Sequence, residues 1–134
     1  MSVGLLLITH TGVGRALLDV AVTTMHGCPL QVRCLEVGTA ADPDALRELG
    51  QEMIAELDRG AGVLILTDAY GSTPSNIACS LRRGRRTAVV AGLNLPMLLR
   101  ILNYPTLSLA ELEHKAVSGG RDGVLRAGCE QATV

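Results

Sequence analysis

Leu64-Ile65-Leu66-Thr67-Asp68-Ala69-Tyr70-Gly71-Ser72-Thr73-Pro74 decides the fold: an apolar run, an acidic residue, a turn containing glycine, and a proline. The apolar run reaches back to Ala61 without polar alternation, the pattern of a strand buried on both faces of a parallel sheet. Pro74 suits the first turn of a helix, where no amide hydrogen is needed and its φ is already helical. Thr73 before it offers a capping side chain. Strand, turn and helix in this order form half of a βαβ unit.

Working outward, Val3 to Thr9 and Thr87 to Gly92 are two more unbroken apolar runs, while Gln31 to Val37 alternates and is expected nearer an edge. Helices are expected at about Gly14 to Met25, Pro43 to Asp58, Pro74 to Arg83 and Pro96 to Leu102, with Asp42-Pro43 showing the same capping device. A last helix is expected over Leu109 to Val117, with Gly119-Gly120 leading to a short apolar piece at Val124-Leu125. This alternation predicts an α/β, doubly wound, mainly parallel sheet with right-handed crossovers and helices on both faces. In a sheet of order 2-1-3-4, ligands bind beyond the carboxyl ends of strands one and three, where the winding reverses. Those ends carry His10 and Asp68.

With 134 residues, 48% of them hydrophobic, one domain with one substantial core is expected. Tyr70 and Tyr104 are the only aromatic residues and the formal charge is −1. Neither a basic field nor a set of stacking platforms is present for nucleic acid. The first residues lack the basic region and cleavage site of a signal peptide, and no run approaches the roughly 18 apolar residues that suggest a membrane span. A cytoplasmic chain with no membrane insertion is expected. Cys28, Cys34, Cys79 and Cys129 show no metal-ligand or CxxC spacing and read as buried or incidental thiols.

His10 directly follows Leu5-Leu6-Leu7-Ile8-Thr9 and precedes Thr11-Gly12-Val13-Gly14, so its ring is held by a rigid strand beside a loop with little bulk. Alone, it also fits a histidine that merely caps a loop. The turn after Asp68 combines Gly71, which permits close backbone approach, with the outward amides and positive dipole end of a helix. It too fits an ordinary strand-to-helix turn capped by Asp68 and Thr73. Together they supply a nucleophilic nitrogen, a carboxylate to fix the ring tautomer, and donors for an anion.

Thr67-Asp68-Ala69-Tyr70-Gly71-Ser72-Thr73-Pro74-Ser75-Asn76 resembles the Asp-x-x-Gly-[Gly/Ser]-[Thr/Ser]-Pro-x-Asn motif of mannose-family enzyme IIA domains of the bacterial phosphotransferase system. Ile8-Thr9-His10 is similar to the segment bearing that family's phosphorylated histidine, and Gly92-Leu93-Asn94-Leu95-Pro96-Met97 to its Gly-x-Asn-Leu-Pro-Met segment. The resemblance covers nearly the whole chain. It implies that His10 is the phosphoacceptor and Asp68 its partner. Gly71, Ser72 and Thr73 would be the phosphate cradle, and Thr11, Asn94 and Pro96 the rim. Ser72 stands where many relatives carry glycine, which ordinary torsions would accommodate. No metal or organic cofactor is implied.

The implied partners are phosphorylated HPr as donor and a cysteine-free or histidine-bearing enzyme IIB of the mannose type as acceptor, or a regulatory target with no sugar moved. A homodimer is implied, with a short C-terminal antiparallel strand near Val124-Leu125 swapped onto the neighbour's sheet. No fused enzyme IIB domain is expected. A variant of the resemblance, the phosphotransfer subunit serving dihydroxyacetone kinase, is less expected, since that subunit usually carries fused carrier domains.

Gly12-x-Gly14-x-x-Leu17 with Glu36 partly imitates a dinucleotide fingerprint, but the third glycine is missing. Glu36 has no evident partner in the sequence. Arg82-Arg83-Gly84-Arg85-Arg86 reads as a solvated helix end, and His26 and His114 as surface residues.

Overall fold

The computed structural model describes residues 1–84 and 86–129. In chain order the elements are β1 (Gly4–His10), α1 (Val13–Met25), β2 (Val32–Val37), α2 (Pro43–Leu57), β3 (Val63–Thr67), α3 (Thr73–Ser80), β4 (Thr87–Ala91), α4 (Leu95–Leu102) and α5 (Leu109–Asp122). The strands form one parallel sheet in the expected order, β2-β1-β3-β4. Successive strand side chains point to opposite faces, so β1 feeds two cores. Leu5 and Leu7 join Leu18, Leu98, Ile101 and Leu112 beneath α1, α4 and α5. Leu6 and Ile8 join Met53, Leu57 and Ile77 beneath α2 and α3. Each such fully buried aliphatic chain contributes about 1.5–3 kcal/mol. As expected, β2 lies at an edge, with Arg33 exposed.

Side chains define most helix starts. Asp42 accepts the Asp44 N–H at 3.1 Å, Asn94 accepts the Met97 N–H at 2.9 Å, and Ser108 with Glu111 forms a reciprocal capping box. The cap of α3 is Ser72 rather than Thr73, because Ser72 has the extended torsions φ −78° and ψ 170° and its hydroxyl meets the Ser75 N–H. The same helix stops at Ser80, short of Arg83, whose N–H donates to Thr87 Oγ1 at 2.6 Å and draws the chain toward β4.

The largest departure is at α5, which continues through Gly119-Gly120 to Asp122 instead of ending near Val117. A glycine inside a helix usually costs about 1 kcal/mol relative to alanine. Here a Cβ on Gly119 would lie 2.5 Å from Arg100 Cβ, and one on Gly120 would lie 2.9 Å from Met97 Cε. The bare backbone therefore lets α5 lie close against α4. Beyond it, Val124 and Leu125 are exposed and residues 124–128 form neither helix nor strand in the single chain.

Arg86 is more than a solvated helix end. Its guanidinium grips both oxygens of Asp58, while Asp58 Oδ1 also accepts the N–H groups of Gly60 and Gly62. This fastens the end of α2 to the approach of β4. Arg85 lies outside the described residues. His26 and His114 are exposed, as expected, and His26 adopts a left-handed φ of 59° as the C-cap of α1. All four cysteines are free; Cys34 is half-buried and the others are exposed. Among the described residues no helix is long and apolar enough to cross a membrane.

Where β1 begins, a Cβ on Gly4 would stand 2.7 Å from both Cβ and the carbonyl oxygen of Leu57. Gly4→Ala is expected to lower stability by about 1–3 kcal/mol, as overpacking does elsewhere, measured by urea unfolding. An unchanged midpoint would refute so close an approach of α2 to β1.

Candidate active site

Parallel pairing sets Ile8 opposite Thr67, so the residues that follow emerge together at the carboxyl ends of adjacent strands. Asp68 Oδ2 accepts the backbone N–H of His10 at 3.0 Å and lies 2.8 Å from its ring Nδ1. Asp68 Oδ1 accepts the Ala69 N–H at 3.0 Å. The carboxylate is largely covered, at 13% side-chain exposure, whereas the His10 ring is 52% exposed. Partial burial pushes the Asp68 carboxyl upward, but the hydrogen bonds from the His10 ring, the His10 backbone and Ala69, with the attraction of the ring's charge, outweigh it and hold the group below its ordinary value. An ionised carboxylate only accepts hydrogen bonds, so Nδ1 carries the hydrogen, and in the neutral ring Nε2 presents a lone pair.

The loop after His10 is fastened to the sheet by two residues that share a register position, Thr9 of β1 and Glu36 of β2. Thr9 Oγ1 accepts the Gly14 N–H at 2.9 Å and donates to the His10 carbonyl at 2.9 Å. Glu36 Oε2 accepts the Gly12 N–H at 2.9 Å. The sequence assigned Glu36 no partner; the missing link was the register that brings the end of β2 beside this loop. The same contact weighs against the dinucleotide pattern, because a carboxylate occupies an amide that a pyrophosphate would need.

Gly71, Ser72 and Thr73 lie at the start of α3, beyond the end of β3. Gly71 has φ 86°, which favours glycine, and donates its N–H to Ser75 Oγ at 3.2 Å. Ser72 takes the ordinary torsions its side chain requires; its N–H and hydroxyl both donate to the Ala69 carbonyl. Among the described residues no acceptor meets the Thr73 N–H, which stands at the positive end of the α3 dipole. Thr11 is exposed next to His10. Asn94 is a tie within the scaffold: its oxygen caps α4 and its amide donates to the carbonyls of Gly92 and Gly120, each at 3.3 Å. Pro96, in the first turn of α4, is half-buried where Gly123 passes it. Among the described residues no three His, Cys, Asp or Glu side chains gather as a metal site.

The lowered Asp68 value has a definite sign. Its stabilising contribution is present above the ordinary carboxylate range near 3.9 and is lost as pH falls through the lower folded value. Asp68→Asn is therefore expected to be less stable than the wild type at neutral pH, with the difference shrinking in acid. Thermal unfolding from pH 7 to pH 2.5 checks this; a constant gap would contradict it.

Residues 4–116 match the family model described as the fructose IIA component of the phosphotransferase system, EIIA-man. The mannose-specific EIIAB component of Escherichia coli strain K12 is 31% identical over 127 residues, covering 92% of this chain and 39% of that longer protein. Among solved structures, the mannose/sorbose specific IIA subunit from Enterococcus faecalis superimposes with a TM-score of 0.82 at 22% identity, over 95% of this chain and 96% of its own. The IIA protein associated with the fucose utilization operon of Streptococcus pneumoniae gives 0.76 at 22% identity, over the full length of both. The family match runs from the first strand into the last helix and takes in both His10 and Asp68, so the chain belongs to the EIIA-man family of phosphotransferase-system IIA components.

Proposed function

We propose that the chain is a phosphocarrier that accepts a phosphoryl group from phosphorylated HPr on His10 and passes it to an enzyme IIB. The observation that carries this reading is the division of labour on one ring: Asp68 holds Nδ1 at 2.8 Å, leaving Nε2 as the nucleophile. The Nε2 lone pair attacks the phosphorus of the donor's phosphohistidine. The donor's nitrogen–phosphorus bond breaks, its electron pair returns to the donor imidazole, and a new bond forms at Nε2. Nδ1 keeps its hydrogen throughout, and the positive charge that develops on the His10 ring faces the Asp68 carboxylate. Transfer onward reverses these steps, with the acceptor as nucleophile and neutral His10 as leaving group. In this reading Gly71, Ser72 and Thr73 form the cradle at the α3 terminus, and the Thr73 amide is the donor offered to the phosphoryl oxygens, since the Gly71 and Ser72 amides are bonded within the turn.

A homodimer in the cytoplasm is part of the proposal. The outer edge of β4 borders a groove of about 880 Å³ whose lining includes Val89, Met97, Val117 and Val124. An apolar strand edge of this kind is a template for another strand. The exposed Val124 and Leu125 are the segment proposed to cross to a neighbour. Light scattering during size exclusion is expected to give twice the chain mass of 14.0 kDa; a monomer would exclude the exchange.

Incubation with phosphoenolpyruvate, enzyme I and HPr is expected to leave one acid-labile phosphoryl group on the wild type and none on His10→Ala, measured by intact-mass spectrometry. Asp68→Asn is expected to slow transfer by about 100-fold, since a misaligned nucleophile commonly costs that much. An unmodified wild type in the presence of active upstream proteins would overturn the phosphocarrier reading.

A further inference from the structure

Glu36 stands on β2, a strand that contributes neither His10 nor the turn after Asp68, yet it is bound to the loop that carries His10. We infer that Glu36 is a positioning residue for phosphoryl transfer, acting through the Gly12 amide; the inference rests on the phosphocarrier reading.

The N-cap of α1 is Gly12, which has φ 85° and no side chain, so the helix begins without a cap of its own. Two of its opening amides are met from the sheet instead: Thr9 takes Gly14 and Glu36 takes Gly12. Glu36 follows the half-buried Cys34 on the α1 side of β2, opposite Thr9 in the register, so its carboxylate is aimed at the start of that helix. There it also meets the positive end of the α1 dipole.

The consequence for His10 follows from where the chain is held. On one side of β1, Asp68 holds the His10 backbone N–H at 3.0 Å; on the other, Glu36 holds the Gly12 N–H at 2.9 Å. Only Thr11 lies between the two fixed residues. A single hydrogen bond at Nδ1 lets the ring pivot about that contact, so the direction of Nε2 depends on the backbone beneath it. Releasing Gly12, whose conformational freedom is large, would loosen that backbone without touching the ring or the phosphoryl group.

The bond needs an acceptor oxygen at the right reach and does not need a full charge. Gln keeps the oxygen and the length, Ala removes both, and Asp keeps the charge but is one methylene short. Wild type, Glu36→Ala, Glu36→Gln and Glu36→Asp would be compared in single-turnover transfer from saturating phosphorylated HPr, beside nitrogen-15 NMR of the His10 ring. Glu36→Ala is expected to slow transfer by about 10- to 100-fold and to shift the ring signals, with Glu36→Gln restoring most of both. Should the alanine variant not fold, Glu36→Asp takes its place and is expected to be slowed in the same way. Wild-type transfer in the alanine variant, or in the aspartate variant standing in for it, overturns the inference, as does a loss that glutamine fails to rescue. If the wild type itself accepts no phosphoryl group, the carrier reading fails, and the ring signals still report separately whether Glu36 holds the loop.

Discussion

Pairing Ile8 with Thr67 in a parallel ladder sets the last residues of β1 and β3 side by side, and a 2.8 Å contact then joins His10 to Asp68 across 58 residues of sequence. Slipping either strand by one residue against the other would turn its side chains to the opposite faces of the sheet. The two fully buried runs, Leu5 to Ile8 and Val63 to Leu66, hold the register in place from both sides of the sheet. The chemical groups at the strand ends inherit their spacing from this packing.

Magnitudes support the same ordering of cause and effect. The His10 ring is half exposed, and even a charged pair so open to solvent is worth only about 0–1 kcal/mol. A single buried leucine in β1 contributes more. The site is thus carried by the fold and adds little to its stability. That leaves the ring open to solvent, while the carboxylate behind it is largely covered.

Much of this arrangement was legible in the sequence because the signals were local. Unbroken apolar runs marked the buried strands, and Asp42-Pro43 and Thr73-Pro74 marked helix starts to within a residue. His10 and Asp68 could be brought together by topology alone, since each ends a central strand. What remained hidden depended on contacts between distant elements. Gly119-Gly120 reads as a break until α4 is seen pressed against it, where the absence of side chains is what allows α5 to continue. Glu36 looks idle until the β1–β2 register brings it to Gly12. Asn94 falls in a motif associated with the rim, and its capping of α4 and tie to Gly120 emerge only in three dimensions.

The saturation of Asp68 bears on how long a charged carrier would last. Oδ2 accepts from both the backbone and the ring of His10, and Oδ1 accepts from Ala69, so three of about four lone-pair positions are filled. A carboxylate so engaged, and made more acidic by those bonds, is a poor base toward a stray water molecule. In the proposed phosphorylated form, the residue that steadies the ring would thereby be a weak promoter of hydrolysis. The loaded protein would discharge when a partner arrives, and its lifetime in water would be set by the intrinsic chemistry of the phosphorus–nitrogen bond.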